Sequence, residues 1–200
     1  MYRELEQLRE TRVIMKHRSY TLSAPERVLA RTVGEARHNR AYSQHIPDAR
    51  ISEDAIYIDV NGAAGEIALA GLLYKAEVYS KDAWEEALNS IANAQDVSAA
   101  QGTDNGDLLV EGLRIDVKTT PYRDGKLWLH ARKLRSPIDY FSLMIGDYNY
   151  GSFIYRGSLS AEDARARYQA VRGQYLQSEL TELPFIAPKT NAEALRYFNR

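Results

Sequence analysis

Asp116 and Lys118 stand two residues apart in the segment GLRIDVKTTPY (residues 112–122), among side chains that favour strands. Strand side chains alternate faces. Ile115, Val117 and Thr119 therefore point one way, and Arg114, Asp116, Lys118 and Thr120 the other. An acid and a base share one face of a half-buried strand. Just upstream, residues 107–110 read as the first arm of a hairpin that turns at Glu111-Gly112 and pairs with 113–120. That register sets Val110 against Leu113 and Asp107 against Asp116. Opposed carboxylates repel, and a divalent cation between them removes the penalty. Hard oxygen ligands of this kind suit Mg²⁺ or Mn²⁺. Asp104 is a weaker substitute for Asp107, because it precedes the strand. An EF-hand calcium loop is excluded, because no Glu stands at the twelfth position from Asp104.

A third acid lies in NGAAGEIALAGLLYKAEVY (residues 61–79). Residues 63–74 read as a helix that is apolar almost all round, and so buried. The neighbours of Glu66 on its own helical face are Ala63, Ala70 and Leu73. A carboxylate in that setting needs a basic side chain or a metal ion beside it.

The elements that must position these groups follow from local signals. Residues 2–18 read as a charged helix. A second helix begins after Ser23, with Pro25 in its first turn and Glu26 three residues past the cap. Val28, Leu29, Val33 and Ala36 give it an apolar stripe; Arg27, Arg31, Arg37, His38 and Arg40 give it a basic side. Residues 44–60 read as a loop with a short strand, and 81–95 as a polar helix. Residues 126–131, 140–146 and 151–160 are strand candidates, and Ser160 caps a helix with Asp163 three residues on. The tail from 178 reads as irregular, ending in a short helix at 191–198. The fold class is α/β. A mixed central sheet has the hairpin strands in its middle and helices on its faces. Residues 1–50 form a helical N-terminal extension, and 51–200 form the core.

The order of these residues resembles the PD-(D/E)XK, or restriction-endonuclease-like, nuclease superfamily. The signature is an acid ending one strand, then (D/E)-x-K on the next, often with an earlier helical Glu. Asp107, Asp116-Val117-Lys118 and Glu66 stand in that order here. The segments NGAAGEIALA, VGEARHNRAYSQ and GSLSAED also look like those of small phage-type members, and the resemblance covers roughly residues 24–165. One departure is Gly106 before Asp107, where the signature has Pro. The resemblance implies metal-dependent hydrolysis of nucleic acid phosphodiesters, most readily by a DNA endonuclease. Asp107 and Asp116 would hold Mg²⁺ (or Mn²⁺), with the Val117 backbone carbonyl joining them. Glu66 would hold a second metal ion or its water. Lys118 would stand by the attacking water and steady the transition state.

Secondary candidates for contact with nucleic acid are Arg37, Arg40, Thr119, Thr120 and His130; a solvated helix face and ordinary β-branched strand residues also account for them. Most of the 14 tyrosines read as core and rim. A net charge of −1 advertises no overall affinity for polyanions, so any steering must come from local patches. No cysteine is present, which excludes disulfides, thiolate metal sites and cysteine nucleophiles. The charged N-terminus is unlike a signal peptide. No apolar run stands out as a membrane span, so the expectation is a cytoplasmic protein, in the host cytoplasm if phage-encoded. DNA is the expected partner, no membrane is expected, and a homodimer stays open. Three further readings remain: a resolvase of branched DNA with the same site, a non-catalytic DNA-binding or protein-interaction module on this fold, and a plain α/β protein stabilised by a metal ion or salt bridges.

Overall fold

The structure, a computed structural model, describes residues 18–43, 53–101, 106–110, 112–167, 175–177 and 180. The helix expected over 2–18 lies outside them except for Arg18, and the helix expected over 191–198 lies wholly outside. The elements run β1 (Ser19–Thr21), α1 (Ala24–Ser43), α2 (Glu53–Lys75), α3 (Lys81–Gln101), β2 (Leu108–Val110), β3 (Leu113–Thr120), β4 (Trp128–His130), a 3₁₀ turn (Ala131–Arg135), β5 (Tyr140–Asp147), β6 (Ser152–Ser160), α4 (Ala161–Ala166) and β7 (Tyr175–Gln177). The class is α/β. Five strands form a mixed sheet in the order β1-β6-β5-β3-β2, and β4 pairs with β7 separately. β3 runs parallel to β5, and the other neighbours in the larger sheet are antiparallel.

Two expectations are corrected. The hairpin does not sit in the middle of the sheet: β3 is internal, but β2 is the outermost strand. Helix α2 begins at Glu53, so residues 53–60 are helical rather than loop or strand. The β-rich look of IYIDV misleads because burial overrides local propensity. Ala55 and Val60 are buried, and Asn61 uses its side chain on another element. Asn61 Nδ2 donates to the Gly146 carbonyl at 3.1 Å, and its Oδ1 accepts from Tyr148 N–H at 2.8 Å. The amide thus ties α2 to the β5–β6 turn.

β1 and α1 fall within the range read as an N-terminal extension. β1 is an outer strand of the sheet, and α1 packs along α2. The start of α1 is a capping box joined to the core. Ser23 N–H and Oγ both donate to Glu26 Oε2, and Tyr20 Oη donates to Glu26 Oε1 at 2.7 Å.

Alternation along the strands sorts the core into two clusters. Ile115, Val117, Met144, Phe153 and Tyr155 pack with α2, α1 and α3. Phe141, Leu143, Ile145 and Leu159 pack with Leu127, Leu129, Ile138 and α4. Phe153 and Leu159 are both odd-numbered yet belong to different clusters. The register shift between Leu143 and Met144 explains this, because one extra residue in β6 reverses its phase. Helix α2 from Ala55 to Lys75 is long and apolar enough to cross a membrane by length and composition, contrary to the sequence expectation, but 72% of that window is buried inside the fold.

Gly65 lets α2 approach β3. A Cβ there would collide with Thr119 Oγ1 and crowd its Cβ and Cγ2. Gly65→Ala is expected to lower stability by about 1–3 kcal/mol in urea unfolding. Adding Thr119→Ala should recover part of that loss, because two of the three crowding atoms are then gone.

Candidate functional site

The site occupies the edge of β3 that β2 leaves uncovered. β2 has three residues and β3 has eight, with Leu108 opposite Ile115. Beyond that pair the ladder ends with Asp107 N–H donating to the Ile115 carbonyl at 2.8 Å. The next free donor on β3 is Val117 N–H. It donates to Asp107 Oδ2 at 2.6 Å, so a side chain takes over where the strand stops. Gly106, at φ +83°, sets the entry to this arm, and its space is bounded by Ile138 and the Ile115 carbonyl.

The register carries Asp107 level with Asp116. Asp116 is wholly buried, against Phe141 in the β3–β5 pairing. Lys118 lies on the same face two residues on and donates to Asp116 Oδ1. Lys133, from the 3₁₀ turn, brings Nζ to 2.7 Å from Asp116 Oδ2. Its approach lies off the hydrogen-bonding direction, so Oδ2 accepts no hydrogen bond among the described residues. Glu66 is buried in α2 and held by both arms of the Arg37 guanidinium, at 2.5 and 2.7 Å. Its flanking Ala63, Ala70 and Leu73 are fully buried.

The electrostatics show one connected cluster. Burial, then Glu66, then Asp116 hold the Asp107 carboxyl well above the usual carboxylate range, against Lys118 and the Val117 N–H. Burial also raises Asp116, with Lys118 opposing and Glu66 adding. For Lys118, burial is the largest influence and pushes its pKa down, but Asp116, Asp107 and Glu66 together outweigh it and the ammonium is stabilised. Burial pushes the Lys133 ammonium down to about 8, with Glu66 opposing and Arg37 adding. Arg37 stays a cation, its burial outweighed chiefly by Glu66.

Glu66, Asp107, Asp116 and Lys118 are thus brought together. Arg37 is drawn onto Glu66 rather than presented to solvent. Arg40 lies one turn further along α1. Thr119 faces α2, its Oγ1 buried beside Gly65 and without a hydrogen bond. Thr120 Oγ1 accepts from Tyr122 N–H at 3.3 Å and packs near Gly125, which closes the turn after β3. His130 sits in β4, in the smaller sheet. Val117 contributes its N–H. Lys133 escaped the sequence reading, since nothing in ARKLR (residues 131–135) marks one basic residue above its neighbours. The only available signal was a buried acid lacking enough cations.

Among the described residues, no three His, Asp or Glu side chains are grouped closely enough to hold a metal ion as they stand. Protein cations pair with two of the acids, Arg37 with Glu66 and both Lys118 and Lys133 with Asp116. The donors nevertheless fit a hard divalent ion: they are carboxylate oxygens, and one of them, Asp116 Oδ2, is buried and accepts no hydrogen bond. No protein-family model, no curated protein and no solved structure matches this chain.

The raised Asp107 carboxyl has a consequence for stability. The folded chain keeps its proton through a pH window in which the unfolded chain has lost it, so this group's contribution to stability falls as pH rises out of the ordinary carboxylate range. Asp107→Asn removes that loss and keeps an oxygen for Val117 N–H. The variant is expected to be more stable than wild type near neutral pH, with the gap closing towards about pH 4, by urea unfolding across that range.

Proposed function

We propose that this chain is a metal-dependent nuclease that hydrolyses nucleic acid phosphodiester bonds, with DNA as substrate and a restriction-endonuclease-like fold. The observation that carries the reading is that Asp107, Asp116 and Lys118 stand together along the part of β3 that β2 leaves unpaired, with Glu66 acting on them from α2, in the order of the resembled signature. The mixed sheet, with the three long helices on one face and only the short α4 on the other among the described residues, is compatible with the general α/β class to which that fold belongs. The cytoplasm is the compartment that suits this activity.

Asp107 and Asp116 are the groups that would hold Mg²⁺ or Mn²⁺, with the Val117 carbonyl beside them. Such an ion supplies Lewis acidity at the phosphate and lowers the pKa of water. The chain does the positioning. Val117 N–H fixes one oxygen of Asp107 and leaves the other for a ligand. The β3 pleat aims Asp116 and Lys118 at the same point. Lys118 carries a positive charge that its acidic neighbours keep in place, and it sits where charge gathers on a phosphate under attack. Arg37 holds Glu66 oriented at the margin of the cluster with two hydrogen bonds.

A structural ion-pair cluster is the second reading. The Arg37–Glu66 fork favours it, because that pair satisfies a buried acid without any ligand.

Cleavage assays separate the two. Supercoiled plasmid, linear duplex, single strands, a four-way junction and RNA would be incubated in Mg²⁺, Mn²⁺ or EDTA. The expected result is cutting that needs metal and falls by about 10²–10³-fold in Lys118→Ala. Preference for the junction would mark a branched-DNA resolvase. No cutting of any substrate by folded wild type would favour the structural cluster. For that reading, Arg37→Met should lower stability by about 3 kcal/mol by stranding Glu66, and Arg37→Met with Glu66→Leu should restore most of it.

A further inference from the structure

Lys133 is the one cation of the cluster carried by neither a strand nor a long helix. It sits on a five-residue 3₁₀ turn between β4 and β5. Its partner, Asp116, is wholly buried and already has a hydrogen bond from Lys118 on the other oxygen. The Lys133 contact is an ion pair at 2.7 Å without hydrogen-bond geometry; its side chain keeps 21% of its surface exposed and that of Lys118 keeps 32%, so the two lysines are told apart by their attachment to the fold and not by exposure. Lys118 is fixed by the pairing of β3 with β5 on one side, at Leu143. Lys133 has a flexible four-carbon stem on an irregular turn.

A hard divalent ion at Asp116 would claim the oxygen that Lys133 now faces. The two cations cannot occupy one place, and like charges that close repel. The lysine that can yield is Lys133. Its side chain is partly exposed beside the buried carboxylate, and a substrate phosphate must come close to that carboxylate to meet Asp107, Asp116 and Lys118.

We propose that Lys133 is a shared cation. It neutralises Asp116 when no metal is bound, and it passes to a phosphate of the nucleic acid when a metal ion takes Asp116 Oδ2. This rests on the nuclease reading and adds to it a substrate-binding residue outside the signature. It also explains how a metal site can be closed on its own side chains and still be built for a metal: the ion replaces a lysine rather than entering an empty cage.

Three measurements test the exchange. The first is calorimetric titration of Mn²⁺ or Ca²⁺, without nucleic acid, into wild type, Lys133→Met, Lys133→Arg and Asp116→Asn, each first checked for folding by circular dichroism. Removing the competing ammonium should tighten metal binding in Lys133→Met by about tenfold, and Asp116→Asn should abolish it. The second is amine labelling read by mass spectrometry. Lys133 in wild type should be protected without metal and should label faster once Ca²⁺ is added. The third is steady-state cleavage. Lys133→Met should raise KM by about tenfold, with a smaller fall in kcat, and Lys133→Arg should recover KM.

Tighter metal with weaker substrate is a pair of opposite effects that a purely structural lysine would not give. Unchanged or weaker metal affinity in Lys133→Met, with labelling indifferent to metal, overturns the exchange while leaving a metal-binding, DNA-cutting wild type intact. A folded wild type that takes up no metal overturns the exchange and the nuclease reading together.

Discussion

Asp116 is a carboxylate with no exposed surface, and much of this region is arranged around that fact. A lone ionised acid in such a place is costly enough that it would take up a proton. Here Lys118 meets one oxygen and Lys133 approaches the other. Each cation comes from a different part of the chain. Lys118 is two residues away on the same strand, and Lys133 is on the turn that follows β4. The turn, the strand pairing and the second core cluster are therefore tied to one charge. Phe141 and Leu143, next to Asp116 and Lys118 in the register, supply the apolar floor that makes the charge expensive and the pairing strong.

The same logic extends to the helical side. Glu66 is buried in α2 and answered by Arg37 of α1 with both guanidinium arms. Three acids and three bases therefore share one region: Glu66, Asp107 and Asp116 with Arg37, Lys118 and Lys133. The formal charges cancel, yet they do not cancel locally. Asp107 has a backbone N–H as its direct partner and, among the described residues, no fork or ammonium of its own. It bears the repulsion of the other two acids, and burial with that repulsion holds its carboxyl well above the ordinary range. An acid kept at that disadvantage at the mouth of a strand edge is the kind of feature that function maintains against stability.

The shortness of β2 is what joins the two sides. A β2 that ran the length of β3 would cover the edge and place a backbone ladder between Glu66 and Asp116. Because pairing stops at Leu108, Asp107 turns its carboxylate into the vacated ladder position, and Glu66 acts on groups that strand alternation alone would put on the far face. Gly65 is the counterpart on the helix. Without a side chain, it lets α2 settle on Thr119, one residue beyond Lys118.

The sequence by itself determined the local geometry. Period-two alternation fixed which residues of 113–120 share a face, the Glu111-Gly112 turn fixed the hairpin register, and the apolar run around Glu66 fixed its burial. These were legible because they depend on neighbours two to four residues apart. The length of α2 was less so, because its β-branched start becomes helical only when Ala55 and Val60 are buried by other elements. Partnership across the fold was decided by tertiary structure alone. Arg37 is 29 residues from Glu66, and Lys133 is 17 from Asp116. One basic residue among several on a helix or turn carries no mark of which acid it will meet. The marking comes from the low-dielectric site that packing creates, and packing is a property of the whole chain.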